Sequence, residues 1–317
     1  MDNLTHSLTG LVLARAGLNR FSPCATMLLL ISANIPDIDI VALGWGPMRY
    51  FEFHRGYTHS LVGLPVMALL SVLLTAALCR RKLPWFRAWL ICLAGVASHL
   101  LLDWTNDYGI RLLLPFSSRW FALDLNSLVD VVILCALAIA AIWPLFARLV
   151  GSEIGERKKR PAGRRLAIAA LVFVVLFDGG RAVLHARAEA QLWSRLYQNV
   201  LPVRTAALPN PLNPFRWRGI VETPNAYRVL SVNTFGELHP DSAVVFYQPF
   251  PSPALRSAKA TAPFRHFLAF ARFPVWSIEP GKIAVTDLRF GTPEHSSFRC
   301  IALVNTDGEL IESRLAF

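Results

Sequence analysis

Charge is scarce in this chain. Only 17% of its 317 residues are Asp, Glu, Lys or Arg, while 54% are hydrophobic. A soluble domain averages about 25% charged, so the composition points away from an ordinary soluble protein and toward a membrane. Cysteine is scarce as well: five residues and no Cys-x-x-Cys pair, with Cys24, Cys79, Cys92 and Cys135 in or beside apolar stretches. This argues against a disulfide framework and against a cysteine-based zinc site. The His-Glu-x-x-His and Gly-x-Ser-x-Gly signatures are missing, which removes the metalloprotease and serine hydrolase readings. Met1-Asp2-Asn3 is no basic n-region, and the apolar run from Leu8 to Ala14 is short; a cleaved signal peptide is not expected. No internal repeat or low-complexity tract occurs. The net charge of +11 would suit nucleic acid, but the basic runs lie between apolar segments, as membrane topology requires. No nucleic-acid partner is expected.

What is present is a succession of apolar helices followed by a different kind of sequence. Residues 4–18 read as a short helix carrying His6, and residues 24–43 as an apolar stretch broken at Pro36, with Asp37 and Asp39 just beyond. His54-Arg55-Gly56-Tyr57-Thr58-His59-Ser60 precedes an apolar helix to about Cys79. Pro84 to Leu102 ends in Ser98-His99-Leu100-Leu101-Leu102-Asp103, Leu128 to Leu149 is long enough to span, and Leu166 to Leu184 is the last apolar segment. From 186 onward period-two runs appear at Tyr227–Phe235, Ala243–Tyr247, Ile283–Phe290 and Phe298–Val304, with a hairpin turn at Asn305-Thr306-Asp307-Gly308. The expected fold is a multi-pass α-helical membrane domain of about five or six helices over 1–185. A small C-terminal α+β, mainly antiparallel β domain follows over 186–317, with one short helix near Pro263–Phe273. His239, His266 and His295 are widely spaced there, so that domain is expected to be dispensable for metal binding.

The positive residues give a topology. Arg15, Arg20, Arg80, Arg81, Lys82, Arg87, Arg148, Arg157, Lys158, Lys159, Arg160, Arg164 and Arg165 fall in one set of connections, and Arg49, Arg55, Arg111 and Arg119 in the other. The first set is expected on the cytoplasmic side. Residues 4–18 then cross, or nearly cross, although at ~1.5 Å per residue they reach only ~22 Å. His6, Asp37, Asp39, His54, His59, His99 and Asp103 fall toward the opposite face, and the C-terminal domain lies there too.

Each of these groups has a bland reading and a chemical one. His6 can be a packing residue, Pro36-Asp37-x-Asp39 can cap the next helix, and His99 and Asp103 can be a structural pair. Arg55 can anchor at headgroups or hold a phosphate or an aspartate. Yet polar side chains are costly in membrane segments and mark functional sites, and here they share one depth. His99 and Asp103, four apart, lie on one helix face; His54 and His59, five apart, converge only if His54 sits in a loop at Gly56 while His59 opens the helix. Three or four N/O donors with an open position describe a catalytic zinc site, and carboxylates shared by two ions describe a two-metal hydrolase.

His6-x-Leu8-Thr9-Gly10, Pro36-Asp37-x-Asp39, His54-Arg55-Gly56-x-Thr58-His59-Ser60 and His99-Leu100-Leu101-Leu102-Asp103, followed by Tyr108-Gly109 and Pro115-Phe116-Ser117, resemble a known family. It is that of the bacterial inner-membrane predicted metal-dependent hydrolases (YdjM-like), one of whose members is known as a DNA-damage-regulated membrane protein. The resemblance covers about residues 1–180. More distantly, the order His…Asp…His…His-x-x-x-Asp is similar to zinc-dependent phospholipase C and P1 nuclease. That likeness implies a helical core in which metal-bound water attacks a phosphodiester. It implies that Asp37 or Asp39, His59, His99 and Asp103 ligate one metal, and that His6 with Asp103 serves a second. The later His/Glu ligands of a third zinc have no match here.

The expected function is therefore a membrane-bound metal-dependent hydrolase of the bacterial inner membrane. It would act on a phosphoester or lipid-like substrate through metal-activated water at the non-cytoplasmic face. The expected ion is Zn2+, with Mn2+ or another divalent metal as the alternative. His6, Asp37, Asp39, His59, His99 and Asp103 are the candidate ligands, and His54, Arg55 and Asp39 the candidate catalytic groups. Membrane lipids and an amphiphilic substrate are the expected partners; a protein partner for the C-terminal domain is not specified. The competing readings are a non-enzymatic metal-binding or transport protein, and a scaffold anchored by its helices.

Overall fold

The computed structural model describes residues 1–153, 163–296, 298–305 and 309–316. The basic run Arg157–Arg160 and the turn residues Thr306-Asp307-Gly308 lie outside the described residues. The chain divides into two compact units: residues 1–40, 55–183 and 211–213 form one, and residues 41–54, 184–210 and 214–317 the other.

The first unit is helical. Helix α1 (Asn3–Ala16) begins where the Asp2 carboxylate accepts the Thr5 N–H at 3.0 Å, which satisfies one of the unpaired donors of a helix start. It ends at Gly17, whose φ of 140° only glycine tolerates well. Helix α2 (Ala25–Ser32) is wedged between α1 and α5 (Trp85–Thr105). A Cβ on Gly10 would meet Leu29 O at 2.6 Å, and one on Gly95 would meet Ser32 Oγ at 2.0 Å. Small residues of this kind let helix backbones approach closely, and here they bring three chemistry-bearing segments together. Leu28, Leu29, Val72, Ile91 and Val96 fill the space between α2, α5 and α4 (Gly63–Cys79). Many large apolar side chains, among them Val66, Leu69, Leu73, Trp143, Val175 and Leu176, point outward, the arrangement that a lipid solvent permits and water penalises.

Among the described residues two helices are long and apolar enough to cross a membrane, α5 and α7 (Arg164–Trp193); the count rises to four if each of two bent helix pairs is one span. The expected five or six is thus reduced to two to four candidate spans. Physically, α1 is 14 residues long, or ~21 Å, and the apolar run at 24–43 is split: α2 stops at Ser32 and the chain resumes as a 3-10 helix, Ile35–Trp45. Helix α6 (Val131–Glu153) carries Pro144 in its interior. Cys24 and Cys79 are joined as a disulfide across 55 residues, their Cα atoms 6.8 Å apart, a single bridge that the cysteine spacing gives no sign of.

The second unit holds two antiparallel four-stranded meanders, β1 to β4 and β5 to β8. The first comprises β1 (Arg204–Pro209), β2 (Arg216–Thr223), β3 (Ala226–Asn233) and β4 (Val244–Tyr247). The second comprises β5 (Pro274–Glu279), β6 (Lys282–Asp287), β7 (Arg299–Val304) and β8 (Leu310–Ala316). Ala206, Leu208, Ile220 and Tyr227 of the first sheet pack with Phe273, Val275 and Leu288. The end of α7 belongs here too: Leu192 is fully buried and lies where a Cβ on Gly219 would be, 2.7 Å from its Cδ2. The helix therefore runs nine residues past Leu184, since good helix formers such as Ala186, Ala188 and Ala190 sustain it after hydropathy falls. Two short helices, α8 (Pro253–Ala260) and α9 (Ala262–Phe270), replace the single expected one, because extended Thr261 caps both.

Candidate metal centre

Four donors converge. Asp37, His59, His99 and Asp103 each offer one ligand atom, and these atoms lie within 4.8 Å of one another. His59 Nε2 is 3.1 Å from His99 Nε2, 3.4 Å from Asp37 Oδ1 and 3.4 Å from Asp103 Oδ2; His99 Nε2 is 3.6 Å from Asp37 Oδ1 and 3.5 Å from Asp103 Oδ2. Bonds of about 2.0–2.1 Å in a tetrahedron put ligand atoms about 3.3 Å apart, so the spacing suits a small divalent cation. The protonation pattern agrees. His99 Nδ1 lies 2.8 Å from the Ala33 carbonyl, to which it can only donate, leaving the Nε2 lone pair aimed at the other donors.

Each donor is placed by local sequence. Asp37 sits in the 3-10 helix after Pro36 and keeps 17% side-chain exposure, against none for His59, His99 and Asp103. His59 lies on a 3-10 turn, Tyr57–His59, made possible by Gly63, where a Cβ would strike Tyr57 O at 1.9 Å. Ser60 Oγ then caps α4 by accepting the Gly63 N–H at 2.9 Å. His99 and Asp103 share one face of α5, as their spacing implies.

The remaining candidates surround these four. Asp39 lies behind His59, 3.6 Å from Nδ1; its Oδ2 accepts the Arg55 N–H at 2.9 Å and the Thr58 hydroxyl at 3.3 Å, and that hydroxyl is 2.9 Å from His59 Nδ1. Arg55 is buried, with Nη2 3.1 Å from Asp103 Oδ1 and Nη1 3.3 Å from both Asn106 Oδ1 and Gly109 O. Its guanidinium also lies 4.6 Å from the Tyr108 ring. His6 stacks on His99 with ring centroids 3.8 Å apart, its Nε2 3.4 Å from Asp103 Oδ1, and among the described residues neither of its ring nitrogens has a hydrogen-bond partner. The Met1 amine also contacts Asp103 Oδ1. His54 caps α3 (Pro47–Phe53) and stacks on Tyr50 at 4.6 Å, in the second compact unit, and is not one of the four donors.

Sequence reasoning missed Asn106 and the Gly109 carbonyl. Asn106 follows Asp103 by three residues, the spacing that puts two side chains on one helix face. Gly109 adopts φ 82°, and a Cβ there would meet Phe121 O at 2.7 Å.

The profile of the YdjM inner membrane protein family matches residues 1–188, which carry all of these donors. The chain belongs to that family. Over 337 aligned residues it is 25% identical to the uncharacterized protein YfhP of Bacillus subtilis (strain 168), covering 97% of this chain and 92% of that protein. It is 39% identical over 102 residues to the inner membrane protein YbcI of Escherichia coli (strain K12), covering 29% of this chain and 55% of that protein. No solved structure matches. Family membership and the apolar helices make this a membrane protein, and the His/Asp cluster is a possible metal site within it.

Proposed function

We propose that this YdjM-family protein is a metal-dependent hydrolase of the inner membrane, acting on a phosphoester or lipid-like substrate at the non-cytoplasmic face. The observation that carries the reading is that His59 Nε2 and His99 Nε2 lie 3.1–3.6 Å from each other and from the Asp37 and Asp103 oxygens, with all four donor atoms within 4.8 Å of one another. These four would hold the ion, with Zn2+ suited to the mixed imidazole and carboxylate set and Mn2+ as the alternative. A bound divalent cation supplies a water ionised near neutral pH and charge for a developing oxyanion.

The protein's own groups have separate tasks in this proposal. The Ala33 carbonyl fixes the tautomer of His99, while Asp39 and Thr58 orient His59. Arg55 steadies Asp103, so its guanidinium is assigned to positioning and not to seizing a substrate anion. His6, stacked on His99 with its Nε2 3.4 Å from Asp103 Oδ1, would serve a second ion with Asp103. His54 receives no role. In this reading the β module lies outside the cytoplasm, an orientation that the distribution of basic residues supports through the positive-inside rule.

A second reading, a non-enzymatic metal-holding protein, draws support from the burial of three of the four donors, since closed sites are structural more often than catalytic. One experiment separates them. The full chain, purified in lipid nanodiscs, is analysed for metal and then offered a panel of phosphodiesters and phospholipids, beside His99→Ala. Metal with turnover, both lost in the variant, supports the hydrolase; metal without turnover on any substrate supports the second reading; equal metal content in wild type and a well-folded His99→Ala ends both.

A further inference from the structure

Three short segments of the first unit border the four donors, and each sets an inward polar group beside outward apolar ones. Asp37, the one donor of the four with side-chain exposure, is followed by exposed Ile38 and Ile40. Buried His59 stands between exposed Tyr57 and Leu61. The turn at 112–116 presents Leu113 and Phe116, the latter 85% exposed. The last two segments are stitched together: the Leu61 N–H donates to the Leu112 carbonyl at 2.9 Å, and the Arg111 N–H to the Arg55 carbonyl at 3.1 Å. These are turns outside the long helices, and a turn facing water would keep such side chains inside, since their exposure is unfavourable there.

A row of cations and rings leads outward from the donors. The buried Arg55 guanidinium, bound to Asp103, lies 4.6 Å from the Tyr108 ring; Tyr108 meets Trp120 edge-on at 5.9 Å; and the Arg111 guanidinium lies 5.1 Å from the Trp120 ring. Arg55 is committed to Asp103, and Arg111 is the next cation along the row. Tyrosine, tryptophan and arginine side by side are the composition of a headgroup layer, and a guanidinium is shaped to hold a phosphate.

We propose that the ligand of this centre is a membrane phospholipid taken sideways from the bilayer, with Arg111 on its phosphate and Leu61, Leu113 and Phe116 against its acyl chains. The inference rests on the proposed hydrolase reading and narrows its substrate class from phosphoesters in general to a two-chain lipid. A water-soluble ester would need a wetted entry and would gain nothing from the apolar rim. The lipid satisfies both halves of the mouth at once, its anionic head near the row of rings and its chains on the exposed side chains.

The test titrates the full chain, loaded with Co2+ in a non-ionic detergent, with a fluorescent short-chain phosphatidylglycerol, the matching diacylglycerol and inorganic phosphate. Affinity for phosphatidylglycerol is expected to fall about ten-fold or more in Arg111→Gln, the size of one lost charge-assisted hydrogen bond, and roughly ten-fold in Phe116→Ser. Co2+ content should stay at the wild-type level, and Arg111→Lys, which keeps the charge, replaces Arg111→Gln if that variant loses metal. Diacylglycerol and phosphate should each bind weakly, because each carries half of the chemistry. Absence of phosphatidylglycerol binding, affinity unchanged in both variants, or phosphate bound as tightly as the lipid overturns the proposal. Phosphatidylglycerol held through Arg111 and Phe116 but left uncleaved keeps the lipid site and ends the hydrolase reading. Cleavage that neither variant affects does the reverse. Should the wild type take up no Co2+, the metal reading falls and the lipid titration alone decides the phospholipid site.

Discussion

Asp37 and Asp39 are two residues apart, and the sequence left open which of them reaches the metal. The structure divides their labour: Asp37 Oδ1 faces His59 Nε2 and His99 Nε2, whereas Asp39 stands behind His59 at its Nδ1. The perturbation is therefore a pair of variants, Asp37→Ala and Asp39→Asn. Structural zinc binding of about 10–16 kcal/mol, shared among four donors, assigns about 3 kcal/mol to each, so losing Asp37 weakens binding on the order of 10²-fold. Asp39→Asn removes a charge but keeps a carbonyl oxygen for the Arg55 N–H, and loss of such a supporting group costs about ten-fold. Affinities are measured by competition with a chromophoric chelator on nanodisc-embedded protein. Co2+ absorption supplies a second readout, since a changed donor set alters the ligand field and a reoriented imidazole changes it less. Equal losses in the two variants, or a greater loss for Asp39→Asn, would refute the assigned division.

Three further outcomes are expected. Gly95→Ala drives a Cβ to 2.0 Å from buried Ser32 Oγ, and overpacking of this kind costs about 1–3 kcal/mol; the thermal midpoint and Co2+ affinity should fall together, and unchanged values would show that α2 can yield. For topology, native Cys300 is a poor probe, because burial pushes its thiol up to about 12. A Cys135→Ser, Ser257→Cys protein should be labelled by an impermeant maleimide from outside the cytoplasm, and labelling only after lysis would invert the assignment. The Cys24–Cys79 disulfide closes a 55-residue loop, so its reduction in the purified protein should lower stability by up to about 4 kcal/mol; an unchanged thermal midpoint after reduction would refute that contribution.

The helical segments and four of the eight described strands, β3, β4, β6 and β7, were legible because hydropathy and period-two alternation report burial directly. His99 and Asp103 were legible for a similar reason, since a spacing of four fixes a shared helix face. The choice between Asp37 and Asp39 was not, because it depends on how an irregular backbone turns after Pro36, and no periodicity applies to a 3-10 stretch. Arg55 was read as a possible grip on either an anion or an aspartate; only the fold shows that Asp103, Asn106 and the Gly109 carbonyl occupy its donors. The passage of residues 41–54 into the second unit was invisible as well. Phe51 looks like any interfacial aromatic until Phe267, Phe270 and Phe298, more than two hundred residues later, are seen beside it. The Cys24–Cys79 bridge escaped for the same reason of long separation.

Asp103 presents its two oxygens to different company: Oδ2 to the imidazoles of His59 and His99, Oδ1 to Arg55 and His6. A buried carboxylate stripped of partners is among the costliest groups a membrane helix can carry. With Arg55 already paired to one oxygen, that charge stays compensated while no ion is bound. Biogenesis can then run in the simpler order. On the proposed metal-site reading, the helices would pack first and the ion would be taken up afterwards by a scaffold whose buried carboxylate is already paired.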